Sequence, residues 1–493
     1  MKRLNGYPLV LLCMLLSLAS AARAQAGDPG FTLAGKHPVT VDKALVYTDA
    51  DKAAKLTLAA SRGEYEAVTL TVLATRDLNA VPAAAWEVRR QYKQTTGSGQ
   101  SEANRSLLAP ALKPQAIKKD ANLRFWFTVR VPASTAPGLY TGTVTVTADG
   151  ASVPVPVELK VYAFDHGLLP GAQAAVVGGT DDLVHYRDCA EHGMTTICSG
   201  AGGKFVENPD GSIRLPDLDR NLKLSMEVGL KSIFLAGLGP IIPTSKVKNT
   251  SHILTYKHYI HPQRALKILA GYRDICKAEG LPEVIWYLFD EPGKGDTKQL
   301  GPLRFKASEI LYAQAAEIPG VRTILTVQAE EVEEFGRTFA IHCYGGAPTP
   351  EDCKLTRECG GEVWRYSNGI SMGTDPFYSR WAMGYFPWGC GWEGSTSWTY
   401  PCELMGEDGK PVPPDVWEAM REGVDDWYYL LTLGNLVARN PAAPAAIEAQ
   451  KWLDALRGRI DPKSERKNPF ADGREMDQAR AAAAAFIEQL AAK

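Results

Sequence analysis

Two adjacent acids carry the most chemistry that this sequence offers. Asp290 and Glu291 close the run Val284-Ile285-Trp286-Tyr287-Leu288-Phe289, and Pro292 follows them. Six apolar residues rich in β-branched and aromatic side chains read as a strand buried on both faces. Proline then bars the ladder from continuing. In α/β folds, the carboxyl ends of central strands are where ligands bind. A solvated acidic turn is the plainer reading of the pair alone. Its place directly after a fully apolar strand favours a catalytic one.

Other reaction types lack their residues. No H-E-x-x-H helix is present, and no glycine-rich phosphate loop opens a helix. Carboxylate chemistry remains. Hydrolysis of a glycosidic bond normally uses two carboxyls on either side of it. Sequence neighbours in extended backbone point to opposite faces, so Asp290 and Glu291 are badly placed for that. They suit a third arrangement, in which the substrate's own 2-acetamido oxygen attacks the anomeric carbon. One carboxylate then holds the acetamido N–H, while its neighbour protonates the leaving oxygen and later deprotonates water. The acid must be protonated when substrate binds, so Glu291 is expected to have a raised pKa.

The elements that must position these acids form an alternating series between residues 167 and 435. Candidate strands are Ala174–Val177, Met194–Cys198, Ser232–Leu235, Val284–Phe289, Arg322–Val327, Phe339–Cys343, Glu362–Tyr366 and Met383–Trp388, each followed by a helix-period segment. Strand–helix alternation means a parallel sheet, and eight units over this length predict a (β/α)8 TIM barrel. An open doubly wound sheet is the alternative. In a barrel, the loops after the strands form the active face. The loop after the third strand, residues 236–261, holds Lys257, His258 and His261, which read as solvated side chains of a mobile loop. Later loops offer Gln328, Tyr344, Tyr366 and the segment from Trp388 through Trp392 and Glu393 to Trp398 and Tyr400. Indoles on a glycine-rich loop suit stacking on sugar C–H faces. Any one of these Trp taken alone reads as core. Together they predict a sugar platform, with Gln328, Tyr344, Tyr366, Trp388, Trp392 and Trp398 as substrate-binding candidates.

Residues 27–166 alternate in twos, as in Glu66–Val72, Leu123–Val131, Tyr140–Thr147 and Val153–Val161, with a hairpin signal at Asp149-Gly150. This predicts an antiparallel β-sandwich that supports the barrel or contacts glycan. Residues 94–106 read as an exposed loop. Residues 436–493 are alanine-rich with helical period, and predict helices packed outside the barrel. Trp417, Met420, Val424, Trp427 and Leu431 fall at helical spacing, which makes this stretch the barrel's last helix.

Residues 1–24 read as a secretory signal peptide: a basic start at Lys2-Arg3, an apolar core from Leu9 to Leu18, and Ala22-Arg23-Ala24 before the cut. The expected location is periplasmic or extracellular. No other apolar run approaches a membrane span. The formal net charge of −2, with both signs mixed, excludes a nucleic-acid binder on electrostatic grounds. Eight cysteines remain after the leader. Export permits disulfides, with Cys353–Cys359 and Cys390–Cys402 near enough to staple loops, and buried thiols are the other reading. No spacing predicts a zinc site, and the chemistry calls for neither metal nor organic cofactor.

Three motifs together carry a resemblance: Pro-Ala-x-Thr-x-Pro-Gly-x-Tyr-x-Gly at Pro132–Gly142, Tyr-Leu-Phe-Asp-Glu-Pro at Tyr287–Pro292, and Trp-Glu-Ala-x-Arg-Glu-Gly-x-Asp-Asp from Trp417. With them the chain resembles glycoside hydrolase family 123 and its wider relatives over most of residues 60–433. The resemblance implies a retaining β-N-acetylgalactosaminidase, with Asp290 orienting the acetamido group and Glu291 as general acid/base. It also implies a Tyr or Trp closing the acetamido pocket, with Tyr344, Tyr366 and Trp388 as candidates. Two alternatives stay open. One is a glycosidase on a different glycan using a more distant carboxylate such as Glu393. The other is a non-catalytic carbohydrate-binding barrel.

Overall fold

The computed structural model describes residues 28–35, 37–39, 52, 55–81, 86–95, 102–110, 115–166, 172–179, 181–199, 205–236, 262–289, 301–327, 332, 338–373, 375–402, 404–407 and 409–491. Residues 1–24, expected as a leader, the His258/His261 loop, Asp290, Glu291 and Gln328 lie outside the described residues.

Eight parallel strands close into a barrel: Gln173–Val177, Thr196–Ser199, Ser232–Ala236, Glu283–Tyr287, Arg322–Val327, Ile341–Gly345, Glu362–Ser367 and Gly394–Trp398. Alternation along each strand sorts side chains into two sets. Ala175, Phe234, Ile285, Tyr287, Ile324, Ile341, Cys343 and Trp364 fill the interior. Ala174, Val176, Ile197, Ile233, Trp286, Leu325 and Val363 face out against the helices. The floor is polar and closed. Gln173 Oε1 accepts from Thr196 Oγ1 at 2.7 Å and from Ser232 Oγ at 3.2 Å. Arg322 bridges Glu283 at 2.8 Å and Glu362 at 2.6 Å.

The eighth strand corrects the sequence reading. The apolar run Met383–Trp388 belongs to two short buried helices, Pro376–Met383 and Tyr385–Cys390. The strand is the small, polar Gly394-Ser395-Thr396-Ser397-Trp398 that follows. Its composition answers its neighbour. A Cβ at Gly394 would overlap the Trp364 ring on the adjacent strand, so the largest interior side chain needs the smallest one beside it.

Strands between Phe31 and Asp165 precede the barrel. A five-stranded sheet and a three-stranded sheet share one apolar cluster that includes Leu58, Leu70, Val72, Phe125, Val146 and Val157. Asp149 and Gly150 both take positive φ at the tight turn between Gly138–Ala148 and Ala151–Asp165, as a two-residue hairpin requires. The expected loop at 94–106 is partly strand, because Trp86–Thr95 pairs antiparallel with Glu102–Pro110.

The helix Asp415–Arg439 is buried over most of its circumference. Its acids and bases therefore face partners rather than water. Arg480, on the helix Gly473–Ala491, bonds Asp426 at 2.7 Å, Glu422 at 2.9 Å and Glu66 at 3.1 Å, and lies 3.5 Å from Glu64. Arg380 bridges Asp426 and Asp477, each at 2.7 Å. His166 Nε2 lies 2.9 Å from Asp425, and the Tyr429 hydroxyl donates to Glu64 at 2.6 Å. This network joins the N-terminal strands to the last helices and borders a cavity of about 160 Å³. Burial pushes the Glu64 and Glu66 carboxyls up. Burial alone would lower the His166 pKa, but Asp425 and Glu64 outweigh it and hold it above the ordinary value.

Candidate active site

The fourth barrel strand, Glu283–Tyr287, delivers the chain to the C-terminal mouth of the barrel. Leu288 and Phe289 continue it, and Phe289 is the last described residue before Asp290. The Tyr287 hydroxyl shares a 2.6 Å hydrogen bond with Thr326 Oγ1 on the fifth strand. Both residues point inward by register, so the pair caps the apolar interior immediately beneath the mouth.

Two further aromatics reach the mouth. Tyr366 is half-buried, pairs with Gly345 on the neighbouring strand and packs on the interior cluster. A Cβ on Gly345 would stand 3.1 Å from the Tyr366 hydroxyl, so this glycine leaves the phenol its room. Trp398 ends the eighth strand beside Val177, whose side chain is interior, and remains 43% exposed. The register therefore sets its indole on the inner side of the mouth. Its peptide to Thr399 is cis.

The other aromatic candidates are corrected. Tyr344 alternates outward: its hydroxyl bonds Thr356 Oγ1 at 2.7 Å and Asp352 O at 3.3 Å, inside the layer between strand and helix. Trp388 is buried under the Arg457 guanidinium, 4.6 Å from the ring centre. Trp392 packs edge-on against Phe386 at 5.2 Å. Both precede the true eighth strand, so they sit toward its amino end. Glu393 lies there too. Its carboxylate accepts from Val363 N at 2.8 Å, with burial raising its pKa. Trp398 is five steps further along the chain, which at strand rise is about 16 Å. Glu393 cannot serve chemistry at the mouth.

Of the two readings left open for the cysteines, the free thiol is the one found: among the described residues, no two cysteines are joined. Cys353 and Cys402 are buried thiols, and burial raises the pKa of each. No group of three or more His, Cys, Asp or Glu among the described residues is placed to hold a metal ion. No described helix is long and apolar enough to cross a membrane. A cavity of about 650 Å³ opens beside Cys276, Glu283 and Gly320, at the amino ends of the strands and away from the mouth.

The sequence reading missed Asp188 and Tyr400 as partners. Asp188, on the helix Leu183–Glu191, accepts from the Tyr400 hydroxyl at 2.7 Å and from Trp417 Nε1 at 3.0 Å. A lone Asp on a helix gives no sequence signal of such a role.

No family model matches the sequence, and no curated protein matches it. Similarity emerges in three dimensions. A family 123 glycoside hydrolase from Clostridium perfringens, described for glycolipid glycan hydrolysis, superposes with a TM-score of 0.62 at 11% identity. The match covers 93% of this chain and 97% of that one. At this identity the likeness establishes a shared fold alone, a closed barrel with its flanking strands and helices. A Bacteroides ovatus family 5 xyloglucanase and a Bacteroides cellulosilyticus family 39 glycoside hydrolase align at TM-scores of only 0.32 and 0.34, too low to carry an argument.

Proposed function

We propose that the chain is an exported glycoside hydrolase, a retaining β-N-acetylgalactosaminidase-like enzyme that uses the substrate's 2-acetamido group as nucleophile. The observation that carries this reading is the convergence at one barrel mouth. The strand leading into Asp290-Glu291 ends there with Tyr287, and Tyr366 and Trp398 face the same opening. The shared fold with a family 123 enzyme supports it.

In this mechanism the acetamido oxygen attacks C1 while Glu291 gives its proton to the leaving oxygen. Asp290 accepts the acetamido N–H and balances the positive oxazolinium. Glu291 then takes a proton from water as it opens the ring at C1. Two inversions leave the anomer retained. Trp398 offers its face to the sugar and Tyr366 a hydroxyl, and Gln328 belongs to the same proposed set. The division into a sandwich over 27–166, a catalytic barrel over 167–435 and a helical segment over 436–493, after a leader at 1–24, belongs to the same proposal. So does the periplasmic or extracellular location.

Glu291→Gln tests the assignment. It is expected to lower kcat on an aryl β-N-acetylgalactosaminide by about 10²–10⁴-fold. Equal turnover by variant and wild type would remove Glu291 from the mechanism. A carbohydrate-binding barrel is the second reading, since an exposed indole at the mouth suits a binder equally well. That protein would bind the sugar and release no aglycone.

A further inference from the structure

We infer that Asp188 is a positioning residue: its carboxylate fixes the segment Thr399–Cys402 and through it the indole of Trp398 at the barrel mouth. That this indole meets a sugar rests on the proposed function. The placement of the indole does not.

Trp398 is exposed, and among the described residues no ring stacks on it. Its position must come from its backbone. On one side that backbone is held by strand pairing to Val177. On the other, the chain leaves the barrel at once, and the next anchors are Tyr400 and Cys402. Tyr400 N donates to Val177 O at 2.7 Å. Its ring packs edge-on against His185 at 4.3 Å and Trp417 at 5.6 Å, and its hydroxyl donates to Asp188 Oδ2. The Cys402 thiol lies 3.8 Å from the same oxygen. The segment two to four residues beyond the indole thus converges on one carboxylate.

That carboxylate is itself immobilised. Trp417 Nε1, from the long buried helix, is a further donor to Oδ2. Oδ1 faces His192 Nδ1 at 3.4 Å. The His192 ring stacks on Trp417 at 4.7 Å, and its other nitrogen lies 3.3 Å from Glu418, which is paired in turn with Arg421. Asp188 side-chain exposure is 11%. A buried carboxylate is costly unless it is satisfied, and here the donors to Oδ2 come from two separate parts of the chain, Tyr400 with Cys402 and Trp417. An apolar residue would fill the space without fixing the Tyr400 hydroxyl. What the acid adds is direction, and the segment it directs carries Trp398.

The test uses the full chain with 5-fluorotryptophan in place of Trp, the Trp398 resonance being assigned by its loss in Trp398→Phe. In Asp188→Asn the Trp398 line is expected to shift or split while the remaining lines, apart from that of Trp417, hold their positions. Tyr400→Phe, which removes only the hydroxyl, should move the Trp398 line the same way, and it stands in if Asp188→Asn does not fold. With an aryl β-N-acetylgalactosaminide, Asp188→Asn should raise KM about tenfold with kcat within about twofold. On a Trp398→Ala background the same change should raise KM less than about twofold. An unmoved Trp398 line, or a KM penalty that persists in full on the Trp398→Ala background, overturns the inference. Absence of turnover by wild type would sink the enzyme reading alone, and the fluorine spectrum would still decide the role of Asp188.

Discussion

Replacing Arg480 by Met should loosen the junction between the N-terminal strands and the last helices more than any other single change of charge. Met keeps most of the apolar stem and removes the guanidinium. Arg480 is fully enclosed and serves four carboxylates, Glu64, Glu66, Glu422 and Asp426, at 2.7–3.5 Å. Asp426 keeps Arg380, and Glu422 keeps Arg421 at 3.2 Å. Glu64 and Glu66 lose their nearest cation, with burial already pushing both pKa values up. Breaking a buried pair from one side costs about 3–5 kcal/mol, because the orphaned charge remains. That is a large share of a typical folding free energy of about 5–15 kcal/mol. The assay is urea unfolding of wild type and Arg480→Met at pH 7 and at pH 4.5. The gap should be about 3–5 kcal/mol at the higher pH. It should narrow at the lower pH, where Glu64 and Glu66 take up protons and the charge left behind disappears. A gap under about 1 kcal/mol at pH 7 would refute the reasoning, since that is the range of an exposed pair. So would a gap that widens on acidification.

Gly394→Ala puts a methyl against the Trp364 ring, and overpacking of this kind costs about 1–3 kcal/mol; thermal unfolding should show the loss, and Trp364→Phe in the same chain should recover part of it. Arg421 and His192 outweigh burial and hold the Glu418 carboxyl down to about 2. A depressed carboxylate contributes stability above its unfolded pKa and loses it as pH falls through the folded one. The Tm difference between wild type and Glu418→Gln should therefore be full at pH 6 and shrink steadily from about pH 4.5 downward; a difference that grows toward pH 3 would contradict the pairing. Trp398→Ala should raise KM for an aryl glycoside about tenfold or more, as loss of an aromatic stacking partner does, whereas Trp388→Ala should reduce stability and leave KM of the surviving enzyme near wild type.

The barrel was legible because most of its strands are apolar runs too short for helices, and segments of helical period separate them. Val284–Phe289 is the clearest. The eighth strand was hidden for a physical reason. Trp364 on the neighbouring strand takes up the interior space, so Gly394 and its small polar successors carry no hydrophobic signal. The run Met383–Trp388 is instead enclosed on all sides, and a short helix buried all round has no polar stripe to betray its period. That one displacement puts Trp388, Trp392 and Glu393 at the amino end of the eighth strand and leaves Trp398 at its carboxyl end. Tyr344 failed differently: the residue after a strand's apolar core can face either way, and only register with its neighbour decides. The long helix was legible as a helix but not as a buried one, because the partners of Glu422, Asp425 and Asp426 lie in the N-terminal strands and the last helix.

The central claim is that the oxygen of a 2-acetamido group does the displacement, while Asp290 holds that group's N–H and Glu291 serves the leaving oxygen and then the water as acid and base. Proton NMR of the first product released from an aryl β-N-acetylgalactosaminide tests it most directly, run beside the matching 2-hydroxy galactoside. The account predicts the β-anomer first and no appreciable turnover of the 2-hydroxy sugar. Release of the α-anomer first, or equal turnover of both sugars, would contradict it.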